Sequence, residues 1–101
     1  MELTDKEKQE VIDLYWDDFY AMNIIDWFSA KNPRAVKRAL KHTLKAKKIS
    51  WREWKKACKA VERFDCDASE LTEEVELDTM WVLLEKAKID PYKPFDMATA
   101  N

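Results

Sequence analysis

The sequence predicts an all-α fold, a single-domain bundle of four to five helices with a basic helical hairpin formed by the second and third. Three observations carry that expectation. The 101 residues include no glycine, which disfavours the tight hairpin turns of sheet-rich folds. Apolar residues recur at three- and four-residue spacing along most of the chain, the period of a helix with one buried face. Helix-start signals precede three of those periodic runs: two capping boxes and an Asn-Pro pair.

The first predicted helix opens at Thr4-Asp5-Lys6-Glu7, where hydroxyl and carboxylate can satisfy each other's exposed backbone amides. Val11, Ile12, Leu14, Tyr15, Trp16, Phe19 and Met22 follow as a broad apolar stripe, with Glu10, Asp13 and Asp17 opposite. So wide a stripe marks this helix as the one on which the others pack. Residues 23–31 are apolar enough to pack, and they fit either a continuation of this helix or a short helix of their own.

Asn32-Pro33 starts the second predicted helix, with Asn as cap and Pro where a missing N–H costs nothing. It runs to about Ala46 with Val36, Ala39, Leu40, Thr43 and Leu44 inward. Lys47-Lys48-Ile49 makes a short turn. Ser50-Trp51-Arg52-Glu53 is a second capping box and opens the third helix. On that helix Trp51, Trp54, Cys58 and Val61 form an apolar stripe, with both tryptophans on the side away from the lysines. Residues 65–70 read as a polar connector. The fourth helix spans about Thr72 to Lys88 with Leu77, Met80, Trp81, Leu84 and Ala87 buried, its acids early and its lysines late as the helix dipole prefers. Asp90-Pro91 stops it. The expected organisation is a helical domain over 1–90 and an extended or flexible tail over 91–101, without internal repeats.

Composition agrees with a folded globule. Hydrophobic residues make up 47% of the chain and include five Trp, four Phe and three Tyr, against the aromatic-poor composition of disordered chains. Charged residues at 38% and a mean hydropathy of −0.61 supply a solvated surface. No apolar run approaches the roughly 18 residues of a membrane span, and the N-terminus lacks a signal-peptide pattern. The expected compartment is cytoplasmic, with no membrane partner. Cys58 and Cys66 do not amount to a disulfide framework, and Cys58 reads as a small buried residue. The absence of glycine also removes phosphate-cradling loops, dinucleotide fingerprints and nucleophile elbows, and no cofactor is expected.

Function is signalled by charge. Residues 31–63 hold 13 of the 18 Lys and Arg residues against only Glu53 and Glu62, a net of +11. Residues 1–30 carry −6 and residues 64–101 carry −7, so the formal −2 of the whole chain hides an acidic–basic–acidic layout. A run of cations on two successive helices displaces counterions from phosphates. Within this segment Lys outnumbers Arg nine to four, which favours backbone attraction over bidentate reading of base edges. The expected phosphate contacts are Arg34, Lys37, Lys41, Lys45, Lys48, Arg52, Lys56, Lys59 and Arg63. The competing reading has the same surface paired internally with the acidic helices.

The second helix, its turn and the third helix resemble a helix-turn-helix in outline over about 30 residues, with Ile49, Trp54 and Ala57 apolar where that motif is apolar. Lys48 stands where that motif usually has glycine, and Lys47 where it has an apolar residue. Residues 64–77 resemble an EF-hand calcium loop, with Asp65, Asp67, Ser69, Glu73 and Glu76 at the oxygen-ligand positions and Glu70 in place of the turn glycine. Catalysis finds little support. His42 is the single histidine, set between Lys41 and Thr43 without an acid in its turn, which excludes zinc sites built on several histidines.

The expectation is therefore a small non-enzymatic regulator that binds nucleic acid, DNA or RNA, through the basic hairpin. The alternative is a protein-binding inhibitor or adaptor acting on a larger complex through acidic and aromatic surfaces, in the manner of phage or plasmid modulators of host proteins. A degenerate single EF-hand-like calcium binder is the minor alternative.

Overall fold

In the computed structural model the described residues are 3–17, 21–63 and 66–90, with the side chains of 16, 17, 66 and 67 outside the description. Five helices follow one another: α1 (Asp5–Asp17), α2 (Ala21–Lys31), α3 (Pro33–Ala46), α4 (Trp51–Glu62) and α5 (Cys66–Lys86). They form a compact globule with no strand among the described residues. None of these helices is long and apolar enough to cross a membrane.

The starts of α1, α3 and α4 lie where the sequence places them. Thr4 Oγ1 accepts from Glu7 N at 3.2 Å while Thr4 N donates to Glu7 Oε1 at 3.2 Å, closing the first capping box. Asn32 Oδ1 accepts from Ala35 N at 3.1 Å to cap α3, and Ser50 Oγ accepts from Glu53 N at 3.1 Å to cap α4. The apolar stretch after Asn23 belongs to a helix of its own, α2, beginning at Ala21. The tail over 91–101 lies outside the described residues.

The organising helix is α5, not the first. At 21 residues it is the longest, about 31 Å at 1.5 Å per residue, and α2, α3 and α4 all pack mainly against it. The expected polar connector is absent over 66–70, because α5 already begins at Cys66. Residues 68, 69, 71 and 72 are half-buried there, so packing adds to the strong helix preference of Ala68 and Leu71 and outweighs the weaker preference of Ser69 and Thr72. The buried face of α5 is turned roughly a quarter turn around the helix from the expected stripe. Val75, Thr79 and Leu83 are buried along with Met80, Leu84 and Ala87, while Leu77 is 45% exposed.

Two apolar clusters sit along α5. The larger joins Val11, Ile12 and Tyr15 of α1, Ile24 and Phe28 of α2, and Val36 and Ala39 of α3 to Met80, Leu83 and Leu84. Tyr15 meets Trp81 edge-on with ring centroids 6.4 Å apart. The smaller joins Leu44 and Trp54 to Val75, with Leu40, Ile49, Cys58 and Leu71 around them. The start of α3 thus meets the end of α5 and its end meets the middle, so the two helices run antiparallel. Glu10, expected on the solvent face of the first helix, accepts the Trp27 indole N–H at 3.0 Å and ties α1 to α2.

Candidate nucleic-acid interface

The cationic residues of α3 and α4 follow one pattern twice. Counting from each cap, Asn32 or Ser50, a Lys or Arg stands at the second, fifth, sixth, ninth and thirteenth following positions. These are Arg34, Lys37, Arg38, Lys41 and Lys45 in the first case, and Arg52, Lys55, Lys56, Lys59 and Arg63 in the second. The offset is 18 residues, five whole turns of helix, so each set makes one stripe in the same register. The buried face repeats as well: Val36 and Ala39 correspond to Trp54 and Ala57, all buried. An internal repeat of cap, core face and cationic face therefore does exist, against the expectation from sequence.

All nine expected contact residues are exposed: Arg34, Lys37, Lys41, Lys45, Lys48, Arg52, Lys56, Lys59 and Arg63. Arg38 and Lys55, which the expectation omitted, are exposed on the same stripes; the cap-relative register was the signal that could have found them. The expected packed hairpin is not seen as such. α3 and α4 are joined by residues 47–50 and touch each other little, each resting on α5 instead.

Among the described residues, ion pairing reaches one cation of this segment. Lys47 Nζ lies 2.7 Å from Glu74 Oε1 and 2.9 Å from Asp78 Oδ2, one turn apart on α5. These are the ion pairs among the described residues, and none of the nine expected contacts joins in one. The Lys47 ammonium is held above the usual lysine range by its hydrogen bonds to Glu74 and then Asp78. Glu74 and Asp78 are consequently mid-helix partners of a lysine rather than helix-start acids.

Trp51 and Trp54 part company. Trp54 is buried at 8% exposure, whereas Trp51 is 36% exposed with the Lys41 ammonium 5.6 Å from its ring centroid. The expectation that both tryptophans face away from the lysines holds for Trp54 alone. Trp51 is the first residue of α4, three before Trp54 and so about 60° around the helix from it, and that brings its ring to the edge of the basic face.

The other chemical candidates lose their geometry. An EF-hand loop needs non-helical backbone across its ligands, but residues 66–76 are continuous α-helix. Ser69, Glu73 and Glu76 therefore line one face of α5, strung along about 10 Å of helix instead of wrapping one point, and Asp65 and the side chain of Asp67 lie outside the description. No cluster of metal-ligating side chains occurs among the described residues. Cys58 is half-buried, and desolvation, followed by the charges of Glu76 and Glu62, pushes its thiol up. That holds the sulfur in its less nucleophilic form. His42 is exposed on α3.

A second surface lies on the opposite side of α4. Ala21 and Met22 of α2, Val61 of α4 and Thr72, Glu73, Glu76 and Leu77 of α5 are among the residues lining a groove of 690 Å³. Met22 is 51% and Leu77 45% exposed there. Burial, then the charges of Asp26 and Glu73, raise the Glu76 carboxyl above its ordinary range.

The chain matches no family model, no curated protein and no solved structure.

Proposed function

We propose that this protein is a small non-enzymatic regulator that binds nucleic acid through the two cationic stripes of α3 and α4. The observation that carries the reading is the exposure of ten stripe cations, five per helix in one register, none ion-paired among the described residues. Such unpaired surface cations release condensed counterions when they meet phosphates. Six of the ten are lysines, point charges that favour backbone contact over base reading. Glu74 and Asp78 of α5 are occupied with Lys47, which is not one of the ten. The test is a titration of short duplex DNA, single-stranded DNA and RNA at low and near-physiological salt. A log–log salt slope of several units supports the reading, as does its reduction in Lys37→Glu/Lys41→Glu/Lys45→Glu. Absence of binding at low salt, or binding unaffected by the triple reversal, overturns it.

A second reading rests on the groove between α2, α4 and α5. Its apolar floor and its Glu73 and Glu76 rim, with Asp26 close enough to act on Glu76, suit a cationic amphipathic helix of a partner protein, which would lay apolar residues on Met22 and Leu77. A Met22→Glu/Leu77→Lys variant should lose capture of such a peptide and keep nucleic-acid binding. Retained capture would remove this reading.

A further inference from the structure

We propose that Trp51 is a stacking platform for an unpaired base, so that the nucleic acid engaged by the basic surface is single-stranded. The inference deepens the phosphate-binding reading and rests on it. Five tryptophans compete for a small core, and Trp54, three residues on, is buried. Trp51 instead leaves a third of its surface open to solvent at the junction of α3 and α4. It forms one wall of a depression of 350 Å³ whose other walls include Lys41, Lys45, Lys48 and Ile49. An open indole face bordered by three lysines fits the two halves of one nucleotide, a flat base and its phosphate.

The Lys41 ammonium lies 5.6 Å from the ring centroid, near the outer limit of a cation–π contact. Lys41 is exposed and on a flexible stem, so it can leave the ring for a phosphate as a base arrives. The helix end itself is closed to anions. Glu53 sits in the first turn of α4, its carboxylate bonded by Ser50 Oγ at 3.2 Å, and Ser50 Oγ in turn caps Glu53 N. Phosphate contacts here fall to the lysines rather than to the helix dipole.

Stacking discriminates between strands because only unpaired bases present a free face; in a duplex both faces are already covered. A duplex offers the denser charge, so cations alone would favour it. A preference for single strands therefore has to come from the aromatic contact. Stacking also releases no counterions, which separates it from the lysine contribution.

The experiment compares the full-length protein with Trp51→Ala and Trp51→Tyr, each binding a single-stranded oligonucleotide and a duplex of equal phosphate count across a salt series. Circular dichroism confirms helix content, and the tyrosine variant, which keeps a ring, guards against a folding artefact. The expected result is a roughly 5- to 150-fold loss of single-strand affinity in Trp51→Ala. Trp51→Tyr recovers most of it, the salt slope stays unchanged, and duplex binding is unaffected. Equal losses for single strand and duplex, or no loss with the salt slope intact, overturn the stacking assignment and leave phosphate binding standing. No binding of either nucleic acid at low salt overturns both.

Discussion

Lys48 and Lys88 are conformational twins, each in the left-handed region with φ of 59° and 58°. Each follows a helix and precedes an isoleucine that turns back on a leucine: Ile49 N donates to Leu44 O at 2.9 Å, and Ile89 N to Leu84 O at 3.0 Å. Lys48 N to Lys45 O and Lys88 N to Glu85 O complete two Schellman motifs. Glycine normally fills this position, and a side chain there costs about 1–2 kcal/mol. Lys88→Gly should therefore raise stability by ~0.5–1 kcal/mol, since glycine's greater freedom when unfolded offsets part of the relief. Urea denaturation measures it, and a destabilised variant would mean that the Lys88 side chain makes contacts worth more than the strain.

Burial on α5 yields a contrast within one helix. Leu83 is fully buried among α1, α2 and α3 residues, whereas Leu77 lies largely open in the groove. Leu83→Ala should cost about 2–5 kcal/mol through lost transfer energy and a cavity. Leu77→Ala should cost less than about 1 kcal/mol. Equilibrium unfolding of the two variants checks this; equal losses would mean that Leu83 is no more part of the core than Leu77.

Caps and core faces of α3 and α4 were legible in the sequence because their signals are local. Asn32-Pro33, Ser50 with Glu53, and one clean apolar stripe per helix each act within a few residues. The buried face of α5 is hidden in the pattern because apolar residues lie nearly all round this helix, so spacing alone does not separate the buried Val75, Thr79 and Leu83 from the exposed Leu77. The start of α5 is obscured because Cys66, Asp67 and Ser69 rank low in helix preference and so read as a connector. At the candidate interface, charge was legible and ring placement was not. Trp51 and Trp54 look alike in the pattern, and only the seating of α4 on α5 separates the buried ring from the open one.

The bond from Trp27 Nε1 to Glu10 Oε2 couples the first two helices across half-buried side chains. Trp27→Phe keeps an aromatic ring against Phe28, which meets Trp27 edge-on at 5.1 Å, but removes the donor. The expected loss is ~1–2 kcal/mol, with the carboxylate left short of a partner. Glu10→Gln, which keeps an acceptor oxygen, should lose less. Equal losses in both variants would point to packing rather than this hydrogen bond.

Glu76 predicts a pH effect with a definite sign. Burial and the nearby Asp26 and Glu73 charges raise its carboxyl above the ordinary 4.5. The folded state therefore binds a proton more readily than the unfolded chain does. Stability associated with this group is fully present below the unfolded value and declines as pH rises through the raised folded value. Glu76→Gln should match the parent near about pH 4 and exceed it at neutral pH, by a margin limited by the solvent still reaching this half-buried group. Denaturation midpoints at the two pH values test this; a difference that stays constant with pH would remove Glu76 as its source.

The 18-residue repeat makes a quantitative claim about the two cationic helices. If both stripes touch phosphate, neutralising Lys37, Lys41 and Lys45 to Gln should reduce the salt slope as much as neutralising Lys55, Lys56 and Lys59. Each set removes three charges, so each should lower the slope by roughly 2–3 units. These residues are exposed, so stability should stay within about 0.5 kcal/mol in either variant. Combining the two sets should leave only the contribution of the remaining arginines and Lys48. Unequal slopes would assign the contact surface to one helix and make the matching register of the other a consequence of its amphipathic seating on α5.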